Sequence, residues 1–303
     1  MKFRQSETDV PMPELPEVET VVRGLRPAME GKRIARAEAR RPDLRFPLPE
    51  RFADRLTGRT VKEVVRRAKY VLIRLDNGET WLAHLGMSGR FTVSPGTRAT
   101  SGQAGHNSGW ALPEKHDHVI VEMEDGGRVV FNDARRFGYM DLIPVGGEAD
   151  SPHLRTLGPE PLSSDFNADY FADALRGKRT PIKSALLDQR VVAGIGNIYA
   201  CEALWRARIS PRRLARTIPG LRAERLVSAV TSVLEEAIEA GGSSLRDYVQ
   251  TDGELGYFQH SWAVYGREGE ACKTCLAEGR TDCRIERIVQ SGRSTFYCTR
   301  RQR

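Results

Sequence analysis

Residues 12–20 read Met-Pro-Glu-Leu-Pro-Glu-Val-Glu-Thr and open the first segment of regular structure that the sequence predicts. From Glu17 to Glu30, apolar and charged residues alternate at helical spacing. Pro16 suits the first turn of a helix, where a missing N–H costs nothing, and Gly31 ends the pattern. The sequence therefore predicts an amphipathic helix directly after a proline-containing opening.

Strand signals follow this helix, in two predicted hairpins. The apolar runs 70–75 and 80–84 are joined by Asp-Asn-Gly, and the runs 119–123 and 128–131 by Asp-Gly-Gly. Turns of this composition reverse the chain between antiparallel strands. Residues 94–113 are rich in Gly, Ser, Thr and Ala without periodicity, which predicts an inserted loop. We therefore expect a mostly antiparallel β domain in this half of the chain.

The second half of the chain is predicted to be helical. Residues 144–164 are rich in Pro, Gly and Ser, a composition that favours a linker between domains. Residues 223–240 place apolar side chains at helical spacing and end at Gly241 and Gly242, which is typical of an amphipathic helix. The chain is thus expected to fold as two halves joined by a linker.

The chain is basic, and its excess charge is concentrated near the carboxyl end. Its 303 residues include 47 Lys and Arg against 40 Asp and Glu, a formal net charge of +7. From Cys272 to Arg303, eight basic residues face three acidic ones. Such an excess suits a polyanionic partner such as nucleic acid. The sequence contains neither the roughly 20 consecutive apolar residues of a membrane span nor the apolar core of a secretory signal, so we expect a cytoplasmic protein.

Four of the five cysteines lie in this basic tail. They are Cys272, Cys275, Cys283 and Cys298. In a chain without a secretion signal, such a group predicts metal binding rather than disulfides. The fifth, Cys201, lies in an apolar helical run and is expected in the core.

Several separated motifs, taken together, resemble those of the formamidopyrimidine-DNA glycosylases. Beyond residues 12–20 they are, in chain order, Arg-Arg-Ala-Lys-Tyr at 66–70, His-Leu-Gly-Met-Ser-Gly at 84–89, Glu-Lys-His-Asp-His at 114–118, Asp-Ala-Arg-Arg-Phe-Gly at 133–138, Leu-Gly-Pro-Glu-Pro-Leu at 157–162, Gly-Ile-Gly-Asn-Ile-Tyr at 194–199 and Gly-Tyr-Phe at 256–258. The matches follow the family's order. A series in register is far more specific than any single short motif, so the chain is identified as a member of this family.

The resemblance implies an α+β multidomain fold with an N-terminal β-sandwich and flanking helices, a helical helix-two-turns-helix domain and a C-terminal zinc ribbon. The predicted boundaries are residues 1–12 for an extension absent from the working chain, 13–143 for the catalytic sandwich, 144–164 for the linker, 165–262 for the helix-two-turns-helix domain and 263–303 for the zinc ribbon. Within these, residues 247–262 resemble the loop that closes over a flipped oxidised purine.

Pro13 is the candidate nucleophile. A proline inside a chain has an amide nitrogen, whereas an amino-terminal proline is a free secondary amine, and α-amino groups have an ordinary pKa of about 8. Attack on C1′ of a damaged nucleotide expels the base and leaves an iminium, which acidifies the neighbouring sugar protons and permits strand cleavage. We therefore predict a working chain that begins at Pro13, either because translation starts at Met12 and the methionine is removed or because the extension is cleaved.

The resemblance implies three further catalytic residues. Glu14 would protonate the sugar ring oxygen and then carry protons during elimination. Lys69 would contact the lesion phosphate and assist proton transfer, and Arg293 would reach the same phosphate from a turn between two strands.

An enzyme that works on a base inside a duplex must flip the base out and fill the gap. The resemblance assigns Met87 and Phe137 as apolar wedges and Arg135 as the donor to the widowed base. It also implies four DNA contacts elsewhere, which are His116, Lys178, Lys183 and Asn197. Asn197 lies in a glycine-rich turn of the kind whose N–H groups bind phosphate.

The cysteine tail departs from the family's pattern, in which two Cys-x-x-Cys motifs hold one structural zinc ion. Arg301 stands where the last cysteine is expected. Cys283, in an extra stretch between the motifs, could supply the fourth thiolate, or the site could be weak or empty. We expect one Zn²⁺ on Cys272, Cys275, Cys283 and Cys298. Its loss should cost DNA binding more than the chemistry at Pro13.

The resemblance thus implies a bifunctional DNA repair glycosylase that removes 8-oxoguanine and formamidopyrimidines from damaged double-stranded DNA and then cleaves the abasic strand by β,δ-elimination. We expect a monomer without a membrane partner, in a bacterial cytoplasm and held at the nucleoid through DNA. The nearest alternative is an enzyme of the endonuclease VIII type, which prefers oxidised pyrimidines. A non-catalytic DNA-binding protein follows if Pro13 stays blocked, and a structural zinc-ribbon protein would leave the N-terminal motifs unexplained.

Overall fold

The computed structural model describes residues 12–96, 114–243 and 257–303, which form two compact units. The helical unit holds residues 12–16, 156–243 and 257–303, and the sandwich unit holds the described part of residues 17–155. The boundary at Arg155 and Thr156 falls inside residues 144–164. The finer domain limits stay predictions.

The sandwich unit begins at Glu17, within helix α1, and consists mainly of strands. Its helices are α1 (Leu15–Met29) and α2 (Phe52–Leu56). Its strands are β1 (Ile34–Ala39), β2 (Val61–Arg67), β3 (Tyr70–Leu75), β4 (Thr80–His84), β5 (Arg90–Ser94), β6 (Asp117–Met123), β7 (Arg128–Asn132) and β8 (Tyr139–Ile143). The predicted first helix is confirmed, with its start two residues earlier than the charge pattern indicated.

The strands of this unit form two antiparallel four-stranded sheets, in the orders β1-β6-β7-β5 and β2-β3-β4-β8. Both predicted hairpins are present, as β3-β4 and β6-β7. Aromatic side chains from both sheets meet between them. The rings of Trp81 on β4 and Phe91 on β5 lie 6.2 Å apart, and those of Phe91 and Phe131 on β7 lie 5.1 Å apart. All three side chains are buried, so the core of this unit is the layer between its sheets.

The helical unit contains five helices and one hairpin among its described residues. The helices are α3 (Ala168–Leu175), α4 (Ile182–Leu186), α5 (Asn197–Arg206), α6 (Leu221–Glu239) and α7 (Lys273–Ala277), and the strands are β9 (Ile285–Gln290) and β10 (Arg293–Cys298). Short 3₁₀ helices occur at Ala215–Thr217 and Phe258–Ser261. Helix α6 buries the apolar stripe that the sequence predicts, and Cys201 on α5 is 1% exposed, as expected of a core residue.

None of the described helices is both long and apolar enough to cross a lipid bilayer. Three predicted features fall wholly or largely outside the described residues. They are the amino-terminal extension, the inserted loop at 94–113 and the capping loop at 247–262.

Candidate active site and nucleic-acid interface

The candidate catalytic segment of the helical unit is fixed by the first turn of α5. Glu14 is 2% exposed, and its carboxylate accepts hydrogen bonds from the backbone N–H groups of Gly196 at 2.7 Å, Ile198 at 2.8 Å and Tyr199 at 3.4 Å. The first N–H groups of a helix have no partner within the helix and favour a negative group. Glu14 therefore caps α5 from a position more than 180 residues earlier in the chain.

Two glycines of the Gly-Ile-Gly-Asn motif make room for this contact. Gly194 has a φ of +84° and accepts a hydrogen bond from the N–H of Leu15 at 3.1 Å. A Cβ at Gly194 would lie 2.7 Å from Leu15 Cδ1, and one at Gly196 would lie 2.5 Å from Glu14 Oε1. Gly196 has an ordinary extended backbone, so the carboxylate rather than the turn requires glycine there.

Pro13 precedes the Glu14 contact and is buried. Because Met12 is attached to it, its nitrogen is part of a tertiary amide and cannot act as a nucleophile. Release of the residues before Pro13 would turn this nitrogen into a secondary amine and remove its neighbour.

Residues of α4 and α5 support the strand that begins with Arg293. Lys183 is fully buried, and its Nζ donates to the Ser294 carbonyl oxygen at 3.0 Å and to Thr295 Oγ1 at 2.8 Å. Asn197 Nδ2 donates to the same carbonyl oxygen at 3.0 Å. Arg293 itself is exposed at the start of β10. Two of the residues predicted to contact DNA thus hold the backbone beside a third.

The four tail cysteines converge. Their sulfur atoms all lie within 4.8 Å of one another, and Cys298 Sγ is 3.6 Å from Cys275 Sγ and 3.2 Å from Cys283 Sγ. All four are buried and none forms a disulfide. A tetrahedral zinc ion with Zn–S bonds of about 2.3 Å separates its sulfurs by about 3.8 Å, so these thiols fit such an ion. The fold thus brings Cys283 to the other three.

Arg301, at the position of the expected cysteine, remains close to this cluster. Its backbone N–H donates to Cys298 Sγ at 3.3 Å, and its guanidinium lies 4.7 Å from the centre of the Trp205 ring on α5. The N–H contact belongs to the main chain and does not depend on the side chain, whereas the cation on an aromatic face is a stabilising contact that a cysteine could not make.

The candidate wedge residues of the sandwich unit lie on two loops, residues 84–89 and 133–138. Asp133, fully buried, joins the loops. Its Oδ1 accepts from Ser88 Oγ at 2.5 Å and its Oδ2 from the Gly138 N–H at 2.8 Å, while Ser88 Oγ accepts from the Arg135 N–H at 3.0 Å. A Cβ at Gly86 would overlap the backbone of Phe137 and Gly138, so the two loops touch through their main chains.

The hydrogen bonds between these two loops hold the wedge side chains at the surface of the unit. Met87 is half-buried and Phe137 is 41% exposed. The Arg135 guanidinium lies 5.0 Å from the centre of the Phe137 ring, a cation–π contact. His116 is half-buried. Its carbonyl oxygen accepts a hydrogen bond from the Asp133 N–H at 3.0 Å, which places His116 beside these two loops.

His84 supports the first of these loops, residues 84–89, through a hydrogen bond and a stacked ring. Its Nδ1 accepts a hydrogen bond from the Gly86 N–H at 3.0 Å, and its ring stacks on Tyr139 at 4.9 Å. Burial, with smaller contributions from the charges of Lys69, Arg45 and His153, lowers the pKa of His84 to about 3. His84 is therefore neutral at physiological pH, as an Nδ1 acceptor must be. Lys69 is half-buried in the turn between β2 and β3.

Two family models match the chain, and together they cover most of it. The formamidopyrimidine-DNA glycosylase N-terminal domain matches residues 12–140, and the formamidopyrimidine-DNA glycosylase H2TH domain matches residues 157–249. A formamidopyrimidine-DNA glycosylase of Ruegeria pomeroyi is 58% identical over 292 residues, which are 96% of this chain and 100% of the relative.

The chain belongs to the formamidopyrimidine-DNA glycosylase family.

Solved structures of the family agree with this assignment. The MutM (Fpg) protein of Thermus thermophilus has a TM-score of 0.80 and 41% identity, over 96% of this chain and 98% of that one. A complex of Lactococcus lactis Fpg with DNA that contains an abasic site has a TM-score of 0.81 and 32% identity, over 96% and 99% of the two chains. A MutM complex with DNA containing carbocyclic 8-oxo-G has the same score and identity, over 96% and 100%.

The predicted family, fold class and enzyme class are confirmed. The protein is a DNA glycosylase of the formamidopyrimidine type, with an α+β fold and a carboxyl-terminal cysteine cluster able to hold a metal ion. The roles assigned to individual residues stay predictions. Lys178, half-buried just after α3, is among them.

Sequence reasoning missed two residues that organise the glycosylase. Asp133 joins the wedge loops, and Glu202 on α5 accepts from the N–H groups of Ala263, Val264 and Tyr265 at 2.9, 3.0 and 2.9 Å. Burial raises the pKa of Glu202. For Glu202 the available signal was an acidic residue inside an otherwise apolar run, since a buried carboxylate needs donors.

Proposed function

We propose that this glycosylase acts as a bifunctional enzyme whose nucleophile is the amino group of Pro13, in a chain that begins there. The observation that carries the proposal is the Glu14 contact, which anchors the residue after Pro13 to the backbone of α5. A nucleophile attached to so fixed a point can be held in one attack geometry. The family match begins at residue 12, and this supports the same start.

In the proposed reaction, the Pro13 nitrogen attacks C1′ of the damaged nucleotide and the C1′–base bond breaks, so that the base leaves with the bonding electrons and takes up a proton. The attacking nitrogen loses its proton, and the sugar ring then opens as that nitrogen forms an iminium. Glu14 supplies a proton to the ring oxygen and later accepts protons from the sugar. Loss of these protons expels first the 3′ and then the 5′ phosphate, which is β,δ-elimination. Lys69 and Arg293 bind the phosphates at the lesion.

The proposed substrate is double-stranded DNA that contains oxidised purines, 8-oxoguanine or formamidopyrimidines. Relatives crystallised with abasic-site DNA and with 8-oxo-G DNA support this choice. Met87 and Phe137 would fill the gap and Arg135 would bind the widowed base, consistent with their exposure on one surface. His116, Lys178, Lys183 and Asn197 are proposed as further contributors to DNA binding, and we expect a cytoplasmic monomer.

We further propose that the cysteine cluster binds one zinc ion. Cys272, Cys275, Cys283 and Cys298 would hold it as thiolates. When bound, the ion supplies structural cross-linking of the tail rather than chemistry at the lesion. The cross-link would fix the β9-β10 hairpin that carries Arg293.

The test compares two chains, one that begins at Pro13 after methionine removal and one that retains residues 1–12. Each is checked by intact mass and treated with borohydride on a duplex carrying 8-oxoguanine opposite cytosine. We expect a covalent DNA adduct, mapped to the amino-terminal peptide, only with the first. Equal trapping by the extended chain would place the nucleophile elsewhere, such as on a lysine. Faster release of oxidised pyrimidines than of 8-oxoguanine would contradict the proposed substrate.

A further inference from the structure

A second exposed arginine–phenylalanine pair lies beside the wedge loops of the sandwich unit. Phe46 is 49% exposed, and the Arg45 guanidinium lies 5.5 Å from the centre of its ring. The arrangement repeats that of Arg135 and Phe137, where the distance is 5.0 Å. Both pairs place an aromatic face and a cation together at the surface of one unit.

The two pairs belong to one continuous surface, since the loop of residues 40–48 is bonded to the loop of residues 133–138. The Arg45 N–H donates to the Gly138 carbonyl oxygen at 3.0 Å, and Arg136 lies 3.9 Å from Asp43. The Phe46 ring also meets the edge of Tyr139, with ring centres 5.3 Å apart.

The loop of residues 40–48 is held by contacts that do not involve the ring of Phe46. Leu44, at 6% exposure, is the residue by which this loop reaches the core. The loop is closed by its main chain, through hydrogen bonds from the Leu44 N–H to the Phe46 carbonyl oxygen at 3.0 Å and from the Leu48 N–H to the Pro42 carbonyl oxygen at 2.9 Å. The exposed part of the Phe46 ring is thus accessible to another molecule.

The charge of this surface indicates the kind of molecule. The two loops contain five arginines and two aspartates, and one of the aspartates, Asp133, is buried and bonded within the protein. The other, Asp43, already faces Arg41 and Arg136. Within the described part of the chain, neither Arg45 nor Arg135 is ion-paired with an acidic residue. These two guanidinium groups and the exposed rings beside them are complementary to a nucleic acid strand.

We infer that Arg45 and Phe46 form a second DNA contact next to the wedge, in which Arg45 pairs with a backbone phosphate and the Phe46 ring lies against the adjoining nucleotide. The inference rests on the proposed function, because it extends the same DNA surface. The contact carries no base recognition, so it acts on lesion-containing and undamaged duplexes alike.

The two side chains are separated by the salt dependence of binding. Each phosphate contact adds about one to the slope of log affinity against log salt. Arg45→Ala should therefore reduce that slope by about one for both kinds of duplex. Phe46→Ala should weaken binding by about fivefold with the slope unchanged, as expected of a ring packed on a nucleotide, and Phe46→Leu should recover part of the loss.

Matched controls come from the same unit. Arg36→Ala removes the same charge from an exposed site on β1, where the side chain is 64% exposed, and Val145→Ala removes an apolar side chain that is 70% exposed. Both should bind DNA as the wild type does. Thermal unfolding of all variants shows whether each has folded.

Three outcomes distinguish the possibilities. If Arg45→Ala and Phe46→Ala behave like their controls while the wild type binds and cleaves lesion DNA, the second contact is wrong and the proposed function stands. If the wild type itself shows no salt-dependent DNA binding, the proposed function fails. If Phe46→Ala changes the sedimenting species from dimer to monomer without altering DNA affinity, the surface is an interface between copies and the inference is overturned.

Discussion

The segment around Glu14 and the loops that carry Phe137 and Met87 are held in opposite ways. Glu14 is buried and is bound by three backbone N–H groups at the start of a helix. The wedge side chains are partly or largely exposed, and a buried aspartate beneath them fixes their loops. Proton transfer needs a fixed donor and acceptor, whereas a wedge must reach out of the protein. The fold therefore fixes the carboxylate of Glu14 itself, whereas at the wedge it fixes only the backbone of the two loops.

The largest effect is expected from the Glu14 contact. Glu14→Gln keeps the size of the side chain but replaces an acceptor oxygen by a donor facing backbone N–H groups. Base excision and strand cleavage should fall by about 10²–10⁴-fold, the usual contribution of an acid–base residue. Single-turnover rates on 8-oxoguanine DNA measure the loss. A decrease below about threefold would remove Glu14 from the chemistry.

Gly196→Ala tests whether the position of that carboxylate matters, without changing the carboxylate. The new Cβ would lie 2.5 Å from Glu14 Oε1 and would displace it. We expect a rate loss approaching that of Glu14→Gln. In a Glu14→Ala background, where the space is open, the same substitution should cost little more. Additive losses would mean that Gly196 acts independently of Glu14.

The zinc proposal predicts the next largest effect. Cys283→Ser should lower bound zinc from one ion per chain to well below half and should reduce the thermal stability of the tail, because metal binding contributes directly to its folding. Cys201→Ala is the control, since this buried cysteine is not part of the cluster. Zinc measured by metal analysis would contradict the assignment if it remained stoichiometric in Cys283→Ser.

A smaller effect is expected from substitution of the exposed wedge residue Phe137. Phe137→Ala should slow base release by about tenfold, because an unstacked step loses its apolar support, while the melting temperature stays within about 1 °C. Ser88→Ala, which removes the hydroxyl between the two loops, should lower both stability and rate. A Phe137→Ala variant with an unchanged rate on lesion DNA would separate this residue from the wedge.

The smallest expected effect is a pH dependence of stability from His84. Its folded-state pKa of about 3 lies below the ordinary value of 6.5, so unfolding takes up a proton between these pH values. This contribution to the free energy of unfolding is flat above pH 6.5 and decreases as pH falls toward 3. His84→Asn keeps an acceptor near the Gly86 N–H without titrating.

Denaturant unfolding of the wild type and His84→Asn at several pH values tests this contribution. The stability of the wild type relative to the variant should decrease on acidification. A difference that stays constant from pH 7 to 4 would show that His84 does not keep its low pKa.

Much of the fold could be read from local patterns. The hairpins β3-β4 and β6-β7, the stripe of α6 and the helix after Pro16 each follow from turn residues or apolar spacing over fewer than 20 residues. These signals are local because strand and helix periodicity depend on neighbouring residues. The motif series identified the family for the same reason, since each motif is short and continuous.

The tertiary structure decided how these pieces meet. Cys283 meets Cys298, Asp133 reaches Ser88, and Glu14 caps α5 at Gly196. The residues of these three pairs are 15, 45 and 182 positions apart. No local periodicity encodes such pairs, because they depend on which surfaces the packed core brings together. The sequence by itself therefore determined the family, most of the helices and strands named above and the candidate functional residues. Only the tertiary structure decided which groups contact those residues and in what geometry.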